Sequence, residues 1–199
     1  MKLTNKKIYL TQLFLFLTLI ICFLSTSQPA YASKLGEIDR DIFNYVHEDM
    51  NNKFLDEATP VVQYMGDPRL YFGLCALLCA FGDEKMSETG KLAFTGYLGS
   101  GGVVYALKEI IGRPRPLNDA EKNSFPSGHT AFAFTLATIA GYQHPKLRIP
   151  LYLGAVGTAF SRVYLGRHYP SDVFAGAIVG TLMGIGLIHF DEPILSLSF

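Results

Sequence analysis

Beyond residue 68 the chain alternates apolar runs with short polar breaks, and this pattern constrains the fold more than anything else in the sequence. The runs are roughly 70–81, 92–107, 130–142, 149–160 and 173–190. None alternates apolar with polar residues between turn dipeptides, as half-buried strands do, so the expected fold class is all-α. Gly176, Gly180 and Gly184 recur every fourth residue in the last run. Small residues at that spacing let helices approach closely, in membranes or in a tight soluble pair.

Length allows one domain with a sizeable core and no second one, at 199 residues. Lys+Arg and Asp+Glu are 17 each, so the neutral chain offers no reason to propose nucleic-acid binding. Hydrophobic residues make up 49%, yet mean hydropathy is only +0.24, apolar for a soluble protein and modest for a membrane one. Cys22, Cys75 and Cys79 lie inside apolar runs; Cys75 and Cys79, four apart on one expected helix, are expected as packed thiols, not as a disulfide or metal pair, and no zinc site is expected.

Lys2, Lys6 and Lys7 precede an apolar stretch over 8–24, and Ala30-Tyr31-Ala32 follows. Residues 1–32 are therefore expected to be a secretory signal peptide cleaved after Ala32, or an N-terminal membrane anchor. Residues 33–199 form the single expected domain, with an amphipathic helical lead-in over 33–68. Its apolar stripe runs through Ile38, Ile42, Val46, Met50, Phe54, Ala58, Val61 and Met65, against a core or a membrane surface. His47 within it reads as a packing or surface residue.

An alternating path through a bilayer starts with 1–7 inside and puts 83–91, 144–148 and the C-terminal tail there too. Segments 25–69, 112–129 and 161–172 then lie outside. The expectation is a multi-pass, membrane-embedded bundle of about six helices, or five after cleavage. Several runs fall short of the roughly 20 residues a span requires. A soluble periplasmic or secreted protein is the alternative.

Three polar clusters punctuate these helices, all on the outer side of that path. Lys108 closes an apolar helix that Gly112-Arg113-Pro114-Arg115-Pro116 breaks. A lysine point charge with a forked guanidinium suits a phosphate, although basic groups at a helix C-terminus also complement its dipole. Pro126-Ser127-Gly128-His129 feeds the next helix. Free amides at a helix start bind anions and glycine admits a close oxyanion, while Ser127 equally suits a cap. Ser161-Arg162 ends one helix, and His168-Tyr169-Pro170-Ser171-Asp172 opens the last. Asp172 there is either a dipole-favoured acid or the partner that fixes the tautomer of His168.

In order and spacing the clusters resemble the signature of the type 2 phosphatidic acid phosphatase superfamily. That pattern is Lys, six residues, Arg-Pro; then Pro-Ser-Gly-His; then Ser-Arg, five residues, His, three residues, Asp. All eleven specified positions match, over about residues 60–190. The six-residue gap selects Arg115 and leaves Arg113 a supporting or electrostatic role. The superfamily joins membrane lipid phosphate phosphatases, soluble acid phosphatases and vanadium haloperoxidases, and the apolar helices look like the first branch.

The resemblance implies His168 as a nucleophile forming a phosphohistidine, Asp172 as its orienting acid and His129 as general acid and then base. It implies that Lys108, Arg115, Ser127, Gly128 and Arg162 hold the phosphate. It implies no metal and no cofactor, with the active site at the extracytoplasmic face. The expected partners are a lipid phosphate substrate and membrane lipids; no nucleic acid and no obligate protein partner is indicated. A soluble acid phosphatase, a haloperoxidase and a non-catalytic lipid-phosphate binder are the rival readings. His144 and His189 carry no functional assignment.

Overall fold

The computed structural model describes residues 34–189. The expected signal peptide or anchor and its Ala32 cleavage site therefore lie outside the described residues. The chain divides into two compact units, 1–38 and 39–199. All contacts described below belong to the second.

Among the described residues there are seven helices and no strand: α1 Lys34–Asn44, α2 Lys53–Val62, α3 Pro68–Phe81, α4 Glu84–Ile111, α5 Gly128–Gln143, α6 Arg148–Tyr164 and α7 Pro170–His189. The all-α expectation holds. The count is seven where about six were expected: α3–α7 fall on the five apolar runs, α1 and α2 form the lead-in, and the N-terminal segment counted among the six lies outside the described residues. Helix α4 is also longer than its apolar run. Asp83 caps it by accepting from the Met86 amide at 2.8 Å, and nothing between 84 and 91 breaks it, so its first two turns are polar helix rather than loop.

Helix α5 is the hub. It packs on α4, α6 and α7 and is buried around most of its circumference, from Thr130 through Gly141. Its Phe132, Leu136 and Ala140 meet Tyr71 and Cys75 of α3 and Ala93 of α4, while Ala133 and Ala137 meet Ala155 of α6. The glycine stripe of α7 faces it. A Cβ on Gly176 would stand 2.5 Å from the Ser127 carbonyl oxygen, and one on Gly180 would strike that of Ala131. The two backbones thus approach as closely as glycine permits, and Thr135 donates across to the Gly180 carbonyl at 3.3 Å.

Of the two expected settings for the lead-in, a core or a membrane surface, its apolar residues are only partly taken into the core. Ile38 and Ile42 are 46% exposed and Phe54 is 76% exposed, whereas Asp39, Phe43 and Thr59 are buried. Ile42, Phe54 and Val61 of the stripe point outward, Val46 packs inward, and the core otherwise takes the adjoining face. There Phe43 packs on Val163 and Tyr169, and His47 stacks on Phe43 and donates to the Tyr164 carbonyl at 2.7 Å. His47 is a packing residue, as expected.

Both Cys75 and Cys79 are free thiols; Cys75 is buried as expected, but Cys79 is exposed.

Candidate active site

The three clusters converge at one end of the bundle. Helix α4 ends because Gly112 adopts φ +57°, a left-handed cap that only glycine enters without strain; its amide donates to the Lys108 carbonyl at 2.9 Å. The segment that follows folds back on itself. The Ser124 amide donates to the Arg113 carbonyl at 2.9 Å, the Arg115 amide to that of Glu121 at 3.1 Å, and Lys108 Nζ to that of Asn123. This return brings Ser124 and Asn123 to the helix ends. Arg115 is held through Nε by Asn123 Oδ1 at 2.7 Å and Glu121 Oε2 at 3.0 Å, which leaves its two Nη groups as a fork.

Ser127 takes the N-cap position of α5 but does not cap it. Its Oγ accepts from Thr130 Oγ1 at 3.0 Å and makes no bond to the first amides. The amides of Gly128 and His129 precede the first intrahelical bond, Ala131 N to Ser127 O at 3.0 Å, so this helix start is an anion-binding geometry. The Phe125–Pro126 peptide ahead of it is cis.

Pro170 is the first residue of α7 and Asp172 lies in its first turn, as the sequence predicts. Asp172 is fully buried. Its Oδ2 accepts from Ser124 Oγ at 2.5 Å and from the Tyr169 amide at 2.9 Å, so it caps its own helix; Oδ1 accepts from Arg113 Nη1 at 2.7 Å. The Asp172 carbonyl also receives the Ser127 amide at 2.9 Å, tying the starts of α5 and α7 together.

His168 stands beside this carboxylate, its Nδ1 3.8 Å from Asp172 Oδ2. That is ion-pair distance but too long for a hydrogen bond, and Nδ1 is a buried nitrogen without a hydrogen-bond partner. Burial pushes the His168 imidazole down to about 4; Asp172 opposes this, and Lys108 and Arg162 add to it. The ring is therefore neutral at neutral pH, the form a nucleophile requires.

Arg162 is buried, with Nη1 donating to Gln63 Oε1 at 2.5 Å and Nε without a partner. Its carbonyl accepts the His168 amide at 3.2 Å. His129 lies within the electrostatic reach of Arg162, His168 and Arg115. All eight residues singled out in the sequence (Lys108, Arg115, Ser127, Gly128, His129, Arg162, His168 and Asp172) thus share one end of the bundle. Sequence reasoning missed Asp39, Gln63, Ser124 and Ser171, and it underrated Arg113. The one legible signal was an acid, Asp39, four residues before Phe43 and so on the same helix face.

An open depression of about 500 Å³ lined by Asp83, Glu84, Lys85, Glu88 and Gln143 lies at the other end of α4, about 36 Å away by helix rise. Its acid-rich lining is the wrong sign for a phosphate.

A helical bundle with an anion-binding helix start, a cation group and a buried Asp–His pair defines a class, and the chain belongs to it: residues 90–194, more than half the chain, match the PAP2 superfamily. Among solved structures it is similar to a transmembrane PAP2-type phosphatidylglycerolphosphate phosphatase from Bacillus subtilis, with TM-score 0.74 and 26% identity over 92% of this chain and 98% of that one. Lipid A 1-phosphatase of Porphyromonas gingivalis is 42% identical over 112 residues, 52% of this chain and 25% of that protein. Undecaprenyl-diphosphatase BcrC of Bacillus subtilis is 29% identical over 110 residues, 50% of this chain and 57% of that protein. The chain thus spans a quarter and just over half of these two relatives.

Proposed function

We propose that the chain is a phosphatase that hydrolyses phosphomonoesters or pyrophosphates of lipids at the extracytoplasmic face of a membrane, through a phosphohistidine on His168. The observation that carries this reading is the buried His168 beside Asp172, set among Lys108, Arg162 and the open amides of α5. Binding alone calls for the cations but not for an oriented imidazole.

In this mechanism Lys108, Arg115, Arg162, Ser127 and the Gly128 amide hold the phosphate oxygens and neutralise charge that builds in transfer. Nδ1 of His168 faces Asp172, so Nε2 attacks phosphorus. The N–P bond forms as the ester P–O bond breaks, and His129 in its imidazolium form gives its proton to the leaving oxygen. Water then loses a proton to His129 while its oxygen bonds phosphorus. The N–P bond breaks, and inorganic phosphate and neutral His168 are returned.

The membrane assignment rests on outward apolar surface. Helix α7 is long and apolar enough to span, and only 28% of its apolar window is buried, unlike a soluble core helix. Its inner stripe is glycine and its outer stripe is Phe174, Ile178, Leu182 and Ile185, all exposed. Leu74, Leu77 and Phe81 of α3, and Ile149, Leu153 and Val156 of α6, are likewise exposed. The outward stripe of α1 and α2 fits an interfacial helix. The lysine-flanked N-terminus supports the outer orientation. Likeness to lipid A, undecaprenyl diphosphate and phosphatidylglycerolphosphate phosphatases supports an amphiphilic phosphate substrate.

Phosphate release from a panel of lipid and soluble phosphomonoesters and pyrophosphates, in detergent, tests this. Wild type should prefer lipid substrates and His168→Ala should release nothing above background. Unchanged release by His168→Ala would overturn the catalytic reading.

A further inference from the structure

We infer that Arg113, locked in place by Asp39 of the lead-in helix, is a positioning residue for the His168–Asp172 pair and not a phosphate ligand. The inference rests on the catalytic reading above and assigns a task to two residues outside its site.

The guanidinium of Arg113 is occupied by Asp172, Ser171 and Asp39. Nη1 donates to Asp172 Oδ1 at 2.7 Å and to Ser171 Oγ at 2.6 Å, and Nη2 donates to Asp39 Oδ2 at 2.6 Å. Its carbon lies 4.1 Å from the centre of the Tyr169 ring, a cation–π contact. Asp39 closes the circuit by accepting from the Ser171 amide at 2.8 Å and from Ser171 Oγ at 2.7 Å. One cation therefore bridges two buried carboxylates, and both are anchored to the first turn of α7.

This circuit has a directional consequence. With Oδ1 taken by Arg113, the Asp172 carboxylate cannot turn, and Oδ2 is the oxygen presented to His168. Without Arg113 the carboxylate is held only through Oδ2, by Ser124 and the Tyr169 amide, so Oδ1 loses its anchor and the charge is no longer balanced. Arg115, two residues on, is held by Asn123 and Glu121 in the return loop instead. The Arg113-Pro114-Arg115 segment thus divides its labour, one guanidinium toward the acid and one toward the phosphate.

Charged and titratable groups face His168 from four helices: Asp172 of α7, Lys108 of α4, Arg162 of α6 and His129 of α5. Removing Arg113 leaves the negative charge of Asp172 more effective on the ring. Protonated His168 is then favoured, and the acid limb of kcat/KM moves to higher pH.

The test is steady-state turnover, its pH profile and competitive inhibition by inorganic phosphate for Arg113→Ala, Arg113→Lys, Asp39→Asn and Arg115→Ala in detergent. Arg113→Ala should lower kcat about 100-fold, the scale of a misplaced reacting group. Its KM and its inhibition by phosphate should stay within about twofold, and its acid limb should rise by about one pH unit. Arg113→Lys keeps the charge without the fork and should lose about tenfold in kcat. Asp39→Asn should lose less with the same signature, and no further loss should follow when it is added to Arg113→Ala. Arg115→Ala should instead weaken phosphate inhibition. The inference is overturned if Arg113→Lys and Asp39→Asn keep full kcat, if the Arg113 variants weaken phosphate inhibition as Arg115→Ala does, or if the acid limb stays put. Survival of turnover in His168→Ala would overturn the catalytic reading itself, a separate outcome.

Discussion

Asp172→Asn replaces a buried acceptor-only group by one that both accepts and donates, and the structure sets the cost. Asp172 receives Arg113 on one oxygen, and Ser124 and the Tyr169 amide on the other. An asparagine oxygen placed at Oδ2 keeps the latter two, but its NH2 then opposes Arg113 Nη1, donor against donor. The flipped amide keeps Arg113 and opposes the Tyr169 amide, while the Ser124 hydroxyl turns to accept. Either way one buried donor loses its partner, about 1–3 kcal/mol. Arg113 retains Asp39, so the loss stays below the 3–5 kcal/mol or so of a fully broken buried pair. About 2 kcal/mol of destabilisation is expected. Turnover should fall far more, about 10⁴-fold, since the imidazole loses the charge that favours its cationic state and one orientation selects the wrong tautomer. Thermal melting in detergent and phosphate release from one preparation give both numbers. Turnover within tenfold of wild type from folded protein would refute the Asp–His pairing, and an unchanged melting temperature would refute the hydrogen-bond reasoning.

Three further outcomes follow from the same geometry. Because His168 sits near 4 in the folded protein against an ordinary 6.5, the unfolded chain takes up a proton between those values that the folded one does not. Melting temperature should therefore fall on acidification from about pH 6.5 to 4, and fall less in His168→Gln; equal slopes would contradict the burial argument. Gly180→Ala places a Cβ against the Ala131 carbonyl and should cost about 1–3 kcal/mol by forcing α5 and α7 apart, whereas Gly186→Ala, with open space around it, should not lower the melting temperature. Carbonate washing should leave the protein in the membrane pellet; release into the supernatant would favour a soluble acid phosphatase.

Much of this protein was legible in one dimension. Helical class followed from run length and the lack of alternation, and a close approach by α7 from glycines every fourth residue, although only the structure shows α5 as its partner. The grouping of the candidate residues followed from motif spacing, because each cluster sits where a helix begins or ends and backbone geometry there is local. Pro170 at the first position of α7 with Asp172 in its first turn is such a case, and so is the glycine stop at Gly112.

What the tertiary structure decided is what lies between the clusters. Sequence spacing chose Arg115 over Arg113 for the phosphate, but it could not show Arg113 reaching Asp39, 74 residues away, and Asp172, 59 residues away. Nor could it show which face of the lead-in turns inward. Hydropathy marks Ile42 and Phe54 as an apolar face, yet the face that packs on the bundle is the adjoining one, and it carries the polar Asp39. Spacing along a helix specifies which residues share a face. Whether that face meets lipid, core or a distant guanidinium depends on packing against elements far off in the chain.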